Sequence, residues 1–156
     1  MVPTLDVVAT EGELFLVMDY VQGEALSQLF RAVRQQDKSV PAPIAVNILL
    51  GVLHGLHAAH EATNERCVPR GIVHRDVSPQ NVLVGTDGVP RIVDFGVAKA
   101  VGRLQTTREG QLKGKAAYMA PEQVRGGEVT RQADVFAASV VLWEALTGRR
   151  LFQGNS

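Results

Sequence analysis

The chain has 156 residues, 46% of them hydrophobic, which is enough apolar material for one packed domain or part of a larger one. Its 16 basic and 16 acidic side chains cancel, which argues against nucleic acid or an anionic membrane surface as a partner. A single cysteine, Cys67, excludes an intrachain disulfide framework and fits a reducing, cytoplasmic setting.

No signal peptide is read at the N-terminus. The apolar runs 5–8 and 14–18, separated by Thr10-Glu11-Gly12-Glu13, predict a β-hairpin. Ala25, Leu26, Leu29, Phe30 and Val33 recur at helical spacing and predict a short amphipathic helix. After a polar stretch, Pro43 suits the first turn of a second helix, where its missing N–H costs nothing. That helix carries Ile44, Ile48, Leu49, Val52, Leu56 and Ala59 on one broad face. Asn47 and Gly51 interrupt its apolar run, so it is not read as a membrane span, and no membrane contact is expected. His54, His57 and His60 lie three apart, and each such step drifts about 60° around a helix, so they would not converge on one metal ion.

Residues 61–70 form a polar loop, and a second hairpin follows: 82–84, a Gly85-Thr86-Asp87-Gly88 turn, then 91–93. Antiparallel pairing joins residues equidistant from a turn, so Asn81 and Asp94 are expected to face each other at the open end. An amide oxygen beside a carboxylate is an oxygen-only pair, suited to Mg²⁺. Asp76 enters the same end, and a carboxylate there can take a proton from a hydroxyl. Such general-base help is typically worth about 10²–10⁴ in rate. Residues 97–117 show little periodicity and predict a long loop, a kind usually functional. Residues 133–146 are apolar almost all round, predicting a buried helix with Phe136 and Trp143 in the core and Gly148 at its C-terminal cap. Asp134, inside that helix, must find donors. The class is α+β, mostly helical after residue 24.

His74-Arg75-Asp76-Val77-Ser78-Pro79-Gln80-Asn81, followed by Asp94-Phe95-Gly96 and Ala120-Pro121-Glu122, resembles the protein kinase superfamily over essentially the whole chain. The bacterial Ser/Thr type is the nearest likeness. The resemblance implies a truncated kinase-like fold. Residues 1–23 would be the last small-lobe hairpin and hinge, and 24–156 an incomplete large lobe up to its central helix. It implies transfer of the γ-phosphoryl of ATP to a protein substrate, with ATP and Mg²⁺ as cofactors. By this likeness Asp76 is the catalytic base, and Asn81 and Asp94 are the magnesium ligands. Arg75 would bind a phosphorylated loop, with Thr106 and Thr107 as the nearest phosphate acceptors. Met18 would be the gatekeeper, Asp19 and Val21 would meet adenine through their backbones, Glu24 would reach the ribose, and Leu83 would floor the pocket. His74, Asp134 and Glu122 would be structural supports: Asp134 holding the backbone of His74 and Arg75, Glu122 pairing an arginine of the family's C-terminal part. His60 matches the family's structural histidine before the catalytic loop.

The pattern departs from the family at two places. The lysine usual two residues after the catalytic aspartate is Ser78, and the threonine usual before Ala-Pro-Glu is Lys115. Lys115 is therefore expected to supply the charge that Ser78 lacks, with a decayed site as the rival reading. No Gly-x-Gly-x-x-Gly occurs, and Lys38, the only lysine before His74, falls between helices. Negligible catalysis is expected of the segment alone. A kinase-derived binding module and a truncated inactive product stay open as alternatives.

Overall fold

The computed structural model describes residue 2 and residues 4–10, 13–95 and 115–152. Strands β1 (Thr4–Thr10) and β2 (Glu13–Met18) pair antiparallel with Ala9 opposite Leu14, as the apolar runs predict. The apolar side chains Leu5, Val7, Val8, Phe15 and Val17 of this hairpin are exposed.

A second, three-stranded antiparallel sheet runs in the order β3 (Gly23–Ala25), β4 (Val82–Gly85), β5 (Pro90–Ile92). β3 was not predicted. Its Gly-Glu-Ala sequence has little strand preference, and it is a strand because Ala25 pairs with Leu83 and Gly23 with Gly85. Val82 and Ile92 turn inward and are fully buried.

The register of the β4–β5 hairpin corrects the expected Asn81–Asp94 pairing. Val82 faces Ile92 and Val84 faces Pro90, so the turn centres on Asp87. Gly85 N–H donates to Val89 O at 3.2 Å, and Gly88 takes the left-handed conformation at φ 73°. This is a three-residue loop with glycine at its left-handed position, not the even-numbered turn that the expectation assumed. Asn81 therefore lies opposite Val93, whose N–H donates to Asn81 O at 2.9 Å. Asp94 sits one residue beyond, exposed, and turned out of the ladder at φ 61°.

Three longer helices build the body among the described residues. α1 (Leu26–Arg34) buries Leu26 and Phe30, and carries Arg31 and Arg34 in its last turn, where cations complement the helix dipole. α2 (Ala42–His60) has Pro43 in its first turn and buries Ala45, Ile48, Leu49, Val52, Leu56 and Ala59. Ile44, expected on that face, is 53% exposed, because the stripe centres on Ala45 and Leu49 instead. By length and composition α2 is apolar enough to cross a membrane, yet its buried stripe packs against the last helix and β5. Gly51 lets α2 approach the sheet: a Cβ there would meet Pro90 Cγ at 2.4 Å.

A four-residue helix, α3 (Pro121–Val124), precedes α4 (Arg131–Thr147). Thr130 caps α4, its hydroxyl accepting from Gln132 N–H, and Gly148 closes it at φ 68° with its N–H on Glu144 O. Ala133, Ala137, Ala138 and Ala145 are buried on α4, and side chains this small let α2 and α4 pack closely. The prediction that this helix is buried all round fails on one side. Val135, Ser139, Trp143 and Leu146, spaced at helical repeats, are exposed, so Trp143 is not a core residue. Phe136 is half-buried and stacks on Phe152 with centroids 6.2 Å apart.

Candidate active site

The site is assembled on one buried carboxylate. Asp134 is 1% exposed, one turn into α4. Its Oδ2 accepts from His74 N–H at 2.8 Å and from His60 Nε2 at 2.7 Å, and its Oδ1 accepts from Arg75 N–H at 2.7 Å. The buried charge thus has three donors, which is what makes its burial tolerable. His60, at the end of α2, and the 74–75 backbone are tied to α4 through this one side chain.

His74 is fully buried and works at both ring nitrogens. Val93 O can only accept, so Nε2 carries the proton and donates at 2.8 Å; Nδ1 is then free to accept from Asp76 N–H at 3.2 Å. Phe95 meets the ring edge-on at 4.6 Å. Burial pushes the imidazole pKa below its ordinary 6.5, so the neutral form predominates in the fold. Below about pH 6.5 the unfolded chain binds a proton that folded His74 resists, so this contribution to stability is lost as the pH drops below that value and is level above it. Urea titrations from pH 5 to 7 should show this slope, and His74→Gln, which keeps a donor and an acceptor but cannot titrate, should flatten it. Equal slopes in the two proteins would show that His74 is not the group responsible.

Asp76 follows directly. Lys115 Nζ approaches Asp76 Oδ2 at 2.5 Å, and Asn81 Nδ2 donates to the same oxygen at 3.0 Å and to Asp76 O at 2.8 Å. Two donors on one carboxylate oxygen fix its rotamer. Oδ1 has no hydrogen-bond partner among the described residues, and the side chain is 34% exposed. Chemically this is a positioned carboxylate with one oxygen available to an incoming hydroxyl and a cation at its other edge.

Arg75 has φ 67°, a left-handed conformation that costs a residue with a side chain about 1–3 kcal/mol. Its Nε is buried and unpartnered among the described residues. Lys115 pairs with Asp76, and no hydrogen bond joins it to Ser78 among the described residues. Ser78 is 1% exposed, and its hydroxyl turns to Gln80 Oε1 at 3.3 Å.

The donor chemistry suits a hard cation. Asn81 Nδ2 must face Asp76, because a carbonyl oxygen cannot donate, and this turns Oδ1 the other way without a hydrogen bond among the described residues. Asp94 is exposed beyond the ladder, and no hydrogen bond joins it to Asn81 among the described residues. The two remain an oxygen-only set.

Of the residues expected to meet a nucleotide, Met18 ends β2 half-buried, followed by exposed Asp19 and half-buried Val21. Glu24 on β3 is exposed, and Leu83 on β4 is half-buried opposite Ala25. Glu122 is half-buried and makes no ion pair among the described residues. Gly96, Thr106 and Thr107 lie outside the described residues.

Two neighbours of these residues were missed. Gln123 joins α3 to the 74–81 loop, and its signal was a Gln three residues after the helix cap. Glu144, 3% exposed on α4, pairs with Arg34 and accepts from Tyr118 Oη. Burial, with the adjacent Glu144 carboxylate, pushes the Tyr118 hydroxyl well above its usual pKa. A charge inside an apolar helix was the same signal that revealed Asp134.

Comparison with known proteins agrees with this geometry. The model of the protein kinase domain family matches residues 1–156, and the chain belongs to that family. It is 47% identical over 142 residues to tyrosine-protein kinase MasK of Myxococcus xanthus, covering 91% of this chain and 22% of the relative. It is 39% identical to serine/threonine-protein kinase PknL of Mycobacterium tuberculosis, covering 91% of this chain and 33% of the relative. It is 35% identical to the probable serine/threonine-protein kinase PknB of Lactococcus lactis, covering 97% and 22%. The chain thus spans a fifth to a third of the length of these curated relatives.

Proposed function

We propose that this chain is the hinge, catalytic-loop and central-helix portion of a protein kinase domain that transfers the γ-phosphoryl of MgATP to serine and threonine hydroxyls of proteins. The observation that carries the reading is the Asp76 carboxylate, held at Oδ2 by Lys115 and Asn81 with Oδ1 left open. Residues 1–23 supply the last small-lobe hairpin and hinge, and 24–156 the large-lobe part. Asp76 Oδ1 takes the proton of the substrate hydroxyl as that oxygen attacks the γ-phosphorus and the bond from phosphorus to the departing ADP oxygen breaks. The Lys115 ammonium, paired with Asp76, would stabilise the charge that develops on the transferred phosphoryl group. Asn81 Oδ1 and Asp94 would hold magnesium, which when bound neutralises charge on the phosphate oxygens. Met18, Leu83 and the 19–21 backbone line the adenine side, with Glu24 toward the ribose. Several relatives are named as serine/threonine kinases and one as a tyrosine kinase, so acceptor identity is a point to measure.

In the full-length protein, Asp76→Asn should reduce transfer from labelled ATP to a protein acceptor by about 10²–10⁴. Acid hydrolysis should place the wild-type label on serine and threonine. Label on tyrosine would overturn the acceptor assignment, and an undiminished Asp76→Asn enzyme would overturn the base.

A further inference from the structure

The peptide unit that delivers Asp76 to the site is held at both ends, and only one of the two holders belongs to the His74–Asn81 motif. Arg75 C=O and Asp76 N–H lie in the same rigid peptide plane. The N–H donates to His74 Nδ1 at 3.2 Å. The C=O accepts from Gln123 Nε2 at 2.8 Å, across 48 residues of sequence. The other end of the Gln123 amide is also occupied, its Oε1 accepting from Ala120 N–H at 2.9 Å. One side-chain amide therefore bridges the strained Arg75 backbone to the segment carrying Lys115 to Pro121.

This bridge matters because the backbone next to the plane is strained. Arg75 is left-handed at φ 67°, with its N–H pinned by Asp134 Oδ1 at 2.7 Å. The pinned N–H fixes the preceding peptide plane, and rotation about the Arg75 φ and ψ bonds is what still swings the Arg75–Asp76 plane and, with it, the Asp76 carboxylate. His74 resists that swing with a long contact. Gln123 resists it with a shorter one, from a half-buried position.

We propose that Gln123 is a positioning residue for catalysis: it locks the Arg75–Asp76 peptide plane so that Asp76 points at the substrate hydroxyl. This rests on the reading of Asp76 as the base. Gln123 touches neither substrate nor nucleotide in this scheme, so its loss lowers kcat and leaves the KM for ATP unchanged.

Two substitutions separate the ends of the amide. Gln123→Glu keeps an acceptor for Ala120 N–H but loses the donor to Arg75 O and sets a carboxylate against that carbonyl. Gln123→Lys keeps a donor for Arg75 O and loses the acceptor. In the full-length protein, Gln123→Glu should lower kcat about tenfold or more, a scale set by what small misplacements of a reacting group cost. The KM for ATP should stay within about twofold, and Gln123→Lys should recover most of the lost kcat. In the same full-length proteins, amide hydrogen exchange at Asp76 should quicken in Gln123→Glu and not in Gln123→Lys. Unchanged kcat and unchanged Asp76 exchange in Gln123→Glu, with Asp76→Asn inactive, would overturn the proposal. If Asp76→Asn instead stays active, the reading of the base has failed, and the exchange measurement alone decides whether Gln123 holds the plane.

Discussion

Asp134→Ala should cost about 3–5 kcal/mol of stability, the usual loss when one partner of a buried charged network is removed. The effect is large because a single carboxylate answers three donors from two other parts of the chain: His60 on α2, and the His74 and Arg75 N–H groups. Alanine leaves all three in a 1% exposed site without an acceptor, and each buried unsatisfied group costs about 1–3 kcal/mol. Total stability of a domain is about 5–15 kcal/mol, so most of the margin goes. Asp134→Asn is the sharper variant. The amide keeps the shape but offers one acceptor oxygen, so whichever way it turns, a loop N–H faces an NH₂ group. His60 can adapt by exchanging tautomers; the backbone cannot. Urea unfolding should rank wild type above Asp134→Asn above Asp134→Ala. A Asp134→Ala protein within 1 kcal/mol of wild type, on the scale of an ordinary surface change, would mean that the network contributes little.

The parts of this site that were legible in the sequence are those where chemistry leaves no choice. A charge in the apolar 133–146 run must be met by donors, and Asp134 is. The spacing from Asp76 to Asn81 brings both to one end of a hairpin, and the Asn81 amide binds Asp76 there. What was illegible depends on partners. Turn residues announce a hairpin at 85–88 but not whether its loop is even or odd, and that parity moved Asp94 out of register with Asn81. Helical periodicity gives a width of apolar surface but not which part is covered, hence the errors at Ile44 and Trp143. β3 exists through pairing with β4, and Gln123 acts through a carbonyl 48 residues away. Neither carries a local signature strong enough to name its partner.

The Lys115 hypothesis gains a constraint from the structure that alters how it must be tested. Lys115→Ala in the full-length protein should lower kcat by about 10²–10³, the scale for removing one preorganised group from a developing oxyanion. The fall should exceed that in KM, since the charge is needed where negative charge accumulates. Restoring the family arrangement with Ser78→Lys and Lys115→Thr is the natural rescue, but Ser78 is buried and faces Gln80. A lysine there must carry its stem out past Gln80 before its ammonium reaches Asp76, and until it does the charge is buried. Ser78→Lys alone should therefore destabilise the protein. The double variant should recover part, not all, of the lost turnover, with a coupling between the two positions that additive effects cannot give. Turnover unaffected by Lys115→Ala would remove lysine from the mechanism. A double variant no better than Lys115→Ala, yet folded to the same melting temperature, would show that the two positions do not substitute for each other.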